Sequence, residues 1–343
     1  MHSVILKNDA VGDLAHSLKA IDNITKSSNK VTIFLSKFSE NYSFLVKKPN
    51  TEIKILNYNL TIIEKIKLIF FLFTNKPNNV YILAPKNFYY YLPLILKKTK
   101  FYAICINGTK NYRRPNNLLR RFLFKYEIND RGKTFKREST SLIQYKLTAV
   151  KNKDNEYKFN INLKKSEILN RYLPNKYIFF HFKKKIFDDL NWKFSEMEKL
   201  FDEFTKYCEN IVLTKDIEID NNNKLFKKNF NSYDFKFNKF IDNKKKILFF
   251  DNIVGEDLLN VIKYSEKVIA FHGMMTNLGY ILNKPVLDLF HCKINSWNDY
   301  QRYRNSFYEF KPKYNNYDFI IPKKDINKTI NKLKFSLKKC QKN

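Results

Sequence analysis

Short apolar runs alternate with longer amphipathic stretches along the chain. In the first third, five runs rich in β-branched and aromatic residues have the length and composition of buried strands. They are Val4–Leu6, Val31–Leu35, Ile53–Leu56, Val80–Leu83 and Tyr102–Ile106. Stretches between them, such as Ile62–Phe73 and Phe88–Leu96, have helical spacing, and Ser139–Val150 adds a further helix. Strands that alternate with helices predict βαβ units and a mainly parallel sheet.

A second series of the same kind follows the polar run Lys151–Lys158. Its predicted strands are Tyr177–Phe182, Ile211–Leu213, Ile247–Phe250, Val268–Phe271 and Val286–Leu289. Asn221–Lys246 lacks a clear period and is interpreted as a loop-rich insertion. The length of 343 residues suits two domains. We therefore predict two α/β domains, 1–155 and 156–325, with a cleft between them. A C-terminal helical segment, 326–343, follows, and packing back on the first domain is one option for it.

The loop after the first strand carries the first candidate site. Gly12 and Asp13 follow a short polar loop, and His16 lies one helical turn beyond Asp13. Gly12 allows the backbone to approach a ligand closely, and parallel sheets bind ligands at the carboxyl ends of their strands. An aspartate in the first turn of a helix is equally typical of a helix cap. Two interpretations therefore stand, a ligand site or a helix cap with His16 on the surface.

A second strand–glycine–helix pattern lies at Val268–Phe290. His272 and Gly273 end the strand, and the residues after them begin a helix, where free N–H groups attract anions. A diphosphate could bind there through His272 and the N–H groups of the first turn. These N–H groups belong to Met274, Met275 and Thr276. The alternative is an ordinary helix start with His272 as a capping or core residue.

Both patterns resemble segments of the lipopolysaccharide heptosyltransferases, glycosyltransferase family 9. Lys7, Gly12, Asp13 and His16 stand in the places of the family's amino-terminal signature. The resemblance implies the GT-B architecture of two Rossmann-like domains, of which the first binds the acceptor and the second a nucleotide-sugar donor. It also implies that Asp13 is the catalytic base and that Lys7, Gly12 and His16 lie where the acceptor binds.

The late pattern is similar to the family's donor-diphosphate loop, with Asn283-Lys284-Pro285 leading into the next strand. It departs from the family at three positions. His272 stands where the family has Asp, Asn277 stands where it has His, and Gly273 falls one residue early. These departures leave open whether the chain uses the family's donor. The residues implied here for donor binding are His272, Gly273, Met274, Met275, Thr276 and Asn277.

A third segment, Phe179–Phe182 with the lysines after it and Trp192, resembles the strand and loop that open the family's second domain. By this resemblance Lys183, Lys184 or Lys185 would supply positive charge to a departing diphosphate. The alternative is that the lysines are simply solvated. Glu218 follows a strand where the family often places an acidic residue near the donor's sugar.

The resemblance implies an inverting glycosyltransferase of the hexosyl- or heptosyltransferase type. It would move a sugar from a nucleotide-sugar donor to a glycan or lipid-linked saccharide, in cell-surface polysaccharide or lipopolysaccharide synthesis, with no cofactor and no metal. One alternative is a degenerate, non-catalytic nucleotide-sugar-binding protein of the same fold. Another is a basic nucleic-acid-binding protein, but nucleic acid is not the expected partner because no helix-turn-helix, RNP-like or zinc-finger pattern occurs.

The formal net charge of +31 fits an anionic membrane, a phosphorylated ligand or a nucleic acid. It also fits a compositional bias, because Lys, Asn, Ile, Phe and Tyr share A/T-rich codons and the lysines are dispersed. The basic, aromatic segment Tyr112–Phe124 is either a contact with anionic lipid or acceptor, or a helix packed on the sheet. Lys7–Asp9 interrupts the first apolar run, so no signal peptide is expected. We predict a cytoplasmic protein, with peripheral association at the inner face of the membrane as one option.

Overall fold

The computed structural model describes residues 1–108, 112–131, 138, 140–149, 162–216, 221–243, 246–291 and 317–339. These residues form two compact units, one that ends at residue 149 and one that begins at residue 162. The predicted domain boundary between residues 155 and 156 lies outside the described residues. Each unit is a mixed α/β unit built around one mainly parallel sheet.

The first unit has the strand order β3-β2-β1-β4-β5-β7, all parallel, with the short β6 antiparallel to β5. Its strands are β1 His2–Lys7, β2 Lys30–Ser36, β3 Thr51–Leu56, β4 Asn79–Ile82, β5 Lys100–Asn107, β6 Arg113–Arg114 and β7 Lys125–Asp130. Its α-helices are α1 Val11–Lys26, α2 Ile62–Asn75, α3 Leu92–Ile95, α4 Asn117–Arg120 and α5 Thr140–Thr148, and 3-10 helices span Lys37–Leu45 and Asn87–Tyr91.

One face of this sheet is covered by α2, α3 and α4. Val4 and Leu6 alternate along β1 on that face, and they share one buried cluster with Leu68 and Leu72 of α2 and with side chains of α3 and α4. A capping box begins α2, since the Thr61 side chain accepts from the Glu64 N–H and the Glu64 carboxylate accepts from the Thr61 N–H. Separately, α1 and α5 pack against each other.

The second unit has the strand order β11-β10-β12-β9-β8-β13-β14-β15, parallel except that β11 is antiparallel to β10. Its strands are β8 Ile178–Phe182, β9 Ile211–Lys215, β10 Asn231–Asp234, β11 Lys239–Ile241, β12 Ile247–Asp251, β13 Lys267–Phe271, β14 Val286–Leu289 and β15 Tyr317–Ile320. Its helices are α6 Glu167–Tyr172, α7 Lys184–Leu190, α8 Phe194–Thr205, α9 Asn221–Asn229, α10 Gly255–Tyr264, α11 Met274–Ile281 and α12 Ile326–Lys339.

All ten strands predicted from apolar runs are confirmed, with ends within two residues of those expected. The interpretation of Asn221–Lys246 as a loop-rich insertion is wrong, because it contains α9, β10 and β11, and β10 pairs along β12. The predicted C-terminal helix exists as α12. Its Leu333 and Leu337 are buried in the core of the second unit, where α12 packs on α8.

Each sheet has one point where the strand order reverses, and this decides where a ligand binds. In the first unit the chain runs from β1 to β2 and β3, then returns to β4 on the other side of β1. In the second it runs from β8 toward β9 and β12, then returns to β13 on the other side of β8. Open α/β sheets bind ligands outside the carboxyl ends of the strands at such points. The loops after β1 and β4, and after β8 and β13, are therefore the places to examine.

Left-handed backbone in the described residues is formed mainly by asparagine. Asn191, Asn238, Asn252 and Asn283 have φ between 50° and 58°, and Lys76 has φ 41°. Asparagine tolerates this conformation better than most side chains do, because its short amide can bond locally. Asn191 ends α7 in this way.

Candidate active site

A buried ion pair holds the loop that follows β1. Lys7 is 1% exposed, and its ammonium donates to Asp9 Oδ2 at 2.6 Å. The Asp9 carbonyl oxygen accepts hydrogen bonds from the hydroxyls of Ser39, at 3.1 Å, and Ser36. Lys7 therefore fixes Asp9 and presents no exposed cation to an acceptor. Pairing is what makes its burial tolerable, because an unpaired buried ammonium is strongly disfavoured.

Asp9 is the residue of this loop that sequence reasoning missed. Burial raises the pKa of its carboxyl to about 6, against the lowering effect of Lys7, and the Asp13 carboxylate adds to the rise. Its Oδ1 atom is buried and has no hydrogen-bond partner in the part of the chain that the structure describes. The one signal in the sequence is an acid that directly follows a buried strand, three residues before Gly12.

Asp13 lies inside the first turn of α1, half-buried. The cap position belongs to Ala10, which makes no side-chain capping bond, so Asp13 is not the cap residue considered above. A carboxylate in this turn is stabilised by the helix dipole. Gly12 is the second residue of the helix. The structure thus places Gly12 and Asp13 at the carboxyl edge of the first sheet, next to the switch point.

His16 lies on the buried side of α1, at 5% exposure, and not on the surface. The Ser141 hydroxyl donates to the His16 carbonyl oxygen at 2.9 Å and lies 3.5 Å from its Nδ1. These contacts connect α1 to α5. They give His16 a packing role that the sequence interpretations did not include.

Lys183 and Gly273 form the centre of the second candidate site. Lys183 Nζ donates to the His272 carbonyl oxygen at 2.8 Å, which joins the end of β8 to the end of β13 across the switch point. Gly273 has φ 145°, and a Cβ atom placed on it would lie 2.7 Å from Lys183 Nζ. The ammonium therefore lies directly against the glycine backbone where α11 begins, and only glycine permits this arrangement.

The His272 ring is held by two neighbours. Its Nδ1 lies 2.6 Å from Asp288 Oδ2, and that same oxygen accepts from the Tyr317 hydroxyl. The ring packs against Phe290 with centroids 4.4 Å apart. A ligand contact by this side chain, which is 21% exposed, would have to come through Nε2. His272 is therefore an oriented side chain that neither caps α11 nor lies fully in the core.

Carboxylates and a histidine surround Lys183. Burial lowers the pKa of its ammonium, and the carboxylates of Asp216 and Asp288 oppose that shift. His181, on β8, contacts Thr214 Oγ1 at 2.9 Å through Nδ1 and Asp216 Oδ1 at 3.2 Å through Nε2. Burial also lowers the pKa of His181. Sequence reasoning missed His181 and Asp216, whose only signal is their position at the ends of adjacent strands.

The start of α11 is closed by Thr276. Its hydroxyl donates to the Gly273 carbonyl oxygen at 2.8 Å, and the Gly273 N–H approaches the same hydroxyl at 3.2 Å. The first-turn amides of Met274, Met275 and Thr276 have no intrahelical acceptor by position. Asn277 is buried in the helix, and its N–H donates to the Gly273 carbonyl at 3.2 Å. The helix start can therefore offer three N–H groups, beside the Lys183 ammonium, to an anion.

Lys184 stands apart from this arrangement. Lys184 is the first residue of α7 and forms an ion pair with Asp188 one turn later. Glu218 lies outside the described residues. Within the residues that the structure describes, no group of three or more His, Cys, Asp or Glu side chains could hold a metal ion.

The comparisons with known proteins show the fold. No protein-family model matches the chain, and none of the curated proteins matches it. Among solved structures, the E. coli ADP-heptose lipopolysaccharide heptosyltransferase II matches 99% of this chain and 99% of its own at 12% identity, with a TM-score of 0.62. A family 9 glycosyl transferase from Veillonella parvula matches 93% of this chain and 85% of its own at 12% identity, with a TM-score of 0.64.

The same fold is shared with another class of enzyme. A UDP-N-acetylglucosamine 2-epimerase from Methanocaldococcus jannaschii matches 98% of this chain and 92% of its own at 14% identity, with a TM-score of 0.56. The chain therefore has a GT-B fold. More particularly, it has the fold of the family 9 heptosyltransferases, as its sequence resemblance implied. None of its described helices has the length and apolar character needed to cross a membrane.

Proposed function

We propose that this chain is an inverting glycosyltransferase that takes its sugar from a nucleoside-diphosphate sugar. The observation that carries the proposal is the position of Lys183 against Gly273, at the switch point of the second sheet and at the start of α11. A cation, three helix-start amides and a glycine backbone that admits close approach together suit a diphosphate. The heptosyltransferase of similar fold is named for ADP-heptose and the epimerase for a UDP sugar, which supports the same ligand class.

Lys183 would act on the leaving group. As the bond between the anomeric carbon and the diphosphate oxygen breaks, negative charge builds on that oxygen. A partly buried ammonium and preorganised N–H groups stabilise such charge more strongly than water does, because they need no reorganisation. Asp216 and Asp288 support the protonated form of Lys183. Their carboxylates therefore help Lys183 to remain a cation within a buried setting.

Asp13 would act on the acceptor. Its carboxylate would take the proton of the attacking hydroxyl while that oxygen forms its bond to the anomeric carbon, with inversion at that carbon. The proton then resides on Asp13 and the electron pair of the broken bond on the departing diphosphate. Lys7, Asp9 and the serines that bind the Asp9 carbonyl would hold the adjoining loop in place. The acceptor class proposed is a glycan or lipid-linked saccharide of the cell surface.

A second candidate is a protein of this fold that binds a nucleotide sugar without transferring it. The observation that favours it is the buried Asn277, which stands where the related family has its histidine. A fold shared by transferases and an epimerase does not by itself decide the reaction. Both candidates require nucleotide binding at the α11 start, and only the first requires turnover.

A thermal-shift screen of the full chain against nucleoside diphosphates and nucleotide sugars tests this proposal. A ligand at 100 times its Kd stabilises the native state by about 2.7 kcal/mol, and the melting temperature rises accordingly. We expect one nucleotide base to give the largest rise, and the His272→Ala variant to lose part of it. If no nucleotide raises the melting temperature, both candidates are wrong. If one binds and no acceptor accelerates its release as free nucleoside diphosphate, the non-catalytic candidate is favoured.

A further inference from the structure

The helices that cover one face of the first sheet have two apolar sides. Their inner side chains, such as Leu68, Leu72, Leu92 and Leu119, are buried against the sheet in a single cluster. Their outer sides carry a further set of large apolar residues that nothing in the described chain covers. We call the outer surface of α2, α3 and α4 the outer apolar face.

The outer apolar face is centred on α2. Ile62, Ile66 and Phe70 are 74%, 61% and 69% exposed, and they recur every fourth residue, so that they form one continuous stripe along the helix. The other exposed apolar residues of these helices are Ile63, Phe73, Leu94, Ile95 and Leu118, and Tyr91, Phe122 and Phe124 are exposed in the chain next to α3 and α4. Single exposed apolar residues are ordinary, but a contiguous set of this size marks a binding surface.

The charge around this face has one sign. Residues 57–124, which contain all three helices, carry twelve lysines and arginines and one acidic residue, Glu64. That single carboxylate accepts from the backbone N–H groups of Thr61 and Asn57 in the cap of α2. Cations such as Lys67, Lys97 and Lys98 are exposed beside the apolar residues. The face therefore combines apolar side chains with positive charge, and the one acid within residues 57–124 is bound in the cap of α2.

We infer that the outer apolar face binds the surface of an anionic lipid bilayer. Aliphatic and aromatic side chains would enter the boundary of the acyl chains, while the lysines around them would contact the lipid headgroups. A second copy of this chain fits less well, since it would bring two surfaces of like charge together. Nucleic acid also fits less well. Its phosphates attract cations, but they provide no apolar surface against which Ile62, Ile66 or leucine side chains could be buried.

This inference differs from the expectation that Tyr112–Phe124 alone contacts lipid. In the structure that segment contains only a four-residue helix, α4, which is too short to lie on a bilayer as an amphipathic helix. Phe122 and Phe124 are exposed on the same layer as α2 and would add to its contact. The inference does not rest on the transferase proposal, because it uses no residue of the candidate active site.

Co-sedimentation of the full chain with lipid vesicles tests the inference. The vesicles contain either phosphatidylcholine alone or phosphatidylcholine with about 30% phosphatidylglycerol, which gives the surface a negative potential. The test variant is Ile66→Ser/Phe70→Ser, and the matched control is Phe237→Ser, which removes an equally exposed phenylalanine from the second unit. Circular dichroism and the melting temperature show that each variant is folded, as expected for exposed positions.

We expect the wild type to bind to the anionic vesicles only. The double variant removes two apolar side chains from the contact, so its partition coefficient should fall by at least about tenfold. The control variant should bind as the wild type does. Lys97→Gln/Lys98→Gln should weaken binding by about fivefold per lysine, and added salt should do the same. Equal binding by wild type and the double variant overturns the inference. So does a wild-type dimer, measured by analytical ultracentrifugation, that the double variant converts to monomer without any vesicle binding. Salt-sensitive binding to nucleic acid in place of vesicles overturns it as well.

Discussion

Lys183 Nζ donates to the carbonyl oxygen of His272 at 2.8 Å, although the two residues are 89 positions apart in the chain. The bond spans the ends of β8 and β13, which are neighbours only because the strand order reverses between them. It directs an ammonium to the start of a helix and holds the backbone there. The contact that defines the candidate donor site is thus a product of the topology.

Replacement of Lys183 by methionine should remove the candidate phosphate contact and leave a side chain of similar length. We expect nucleoside-diphosphate binding to weaken about 10- to 100-fold, the range for loss of a charge-assisted hydrogen bond. Isothermal titration calorimetry with the best nucleotide from the thermal-shift screen measures this. Lys184→Met is the matched control, because Lys184 pairs with Asp188 and should bind as the wild type does. Equal losses in the two variants would show that general positive charge matters and that Lys183 does not.

Asp13→Asn should abolish transfer and leave nucleotide binding intact. A general base contributes about 10²- to 10⁴-fold to a rate, and asparagine cannot accept the proton. Because Asp13 is half-buried within the first turn of α1 and makes no capping bond, the variant should fold normally. The measurement is the rate of nucleoside-diphosphate release with acceptor present, together with the melting temperature. A folded variant that keeps its activity would falsify the assignment of the base.

Gly273→Ala should cost stability and ligand binding together. Alanine at φ 145° is strained by about 1–3 kcal/mol, and its Cβ would meet the Lys183 ammonium at 2.7 Å. Urea unfolding of the single variant and of Lys183→Ala/Gly273→Ala separates the two causes. The double variant should regain the part of the lost stability that is due to the contact with Lys183. It should still show the part that is due to backbone strain. If the single variant is as stable as the wild type, Gly273 does not have the strained backbone and the close Lys183 contact described here.

Asp9 should impose a pH dependence on stability between about pH 4 and pH 6. The pKa of its carboxyl is raised from the ordinary value of 3.8 to about 6 by burial, so the folded state binds the proton more tightly than the unfolded chain does. Its stabilising contribution is therefore present at low pH and is lost as the pH rises through the folded pKa, by up to about 3 kcal/mol.

The comparison of wild type with Asp9→Asn isolates this contribution from those of the other carboxylates. Asparagine does not titrate, so the stability of the wild type relative to the variant should fall as the pH rises from 4 to 7. Urea unfolding at intervals of half a pH unit measures the difference, with Asp188→Asn as the exposed-surface control. A difference that stays constant with pH would contradict a raised pKa for Asp9.

The apolar runs of the sequence were enough to locate ten strands, because buried parallel strands are nearly continuous apolar segments. They missed β7, Lys125–Asp130, whose charged and apolar residues alternate at the edge of the sheet. They also missed β10, where the buried Ser232 and Asp234 break the apolar pattern. Asp234 is tolerated there because Lys227, seven residues earlier, donates to its carboxylate at 2.6 Å.

The sequence pointed to both edge loops but did not give their internal contacts. Lys183 and Lys184 both follow β8. They differ because α7 begins at Lys184, so that Lys183 is the N-cap residue and Lys184 the first helical residue. The pairs His181–Asp216 and His272–Asp288 join neighbouring strands from distant positions, which local spacing cannot reveal. The burial of Asp9 could not be predicted from the sequence. It depends on the ion pair with Lys7, whose side chain could equally have faced solvent.

The left-handed asparagines have a consequence for how glycine is used in this chain. Four turns that would accept glycine are made by Asn191, Asn238, Asn252 and Asn283, and the whole chain contains only six glycines. Of the described glycines, Gly255 and Gly273 have positive φ, at 62° and 145°. At Gly273 and Gly279 an added Cβ would lie 2.7 Å from Lys183 Nζ and 2.8 Å from a Val286 methyl carbon. Gly273 and Gly279 are therefore positions where another part of the molecule occupies the space that a side chain would need.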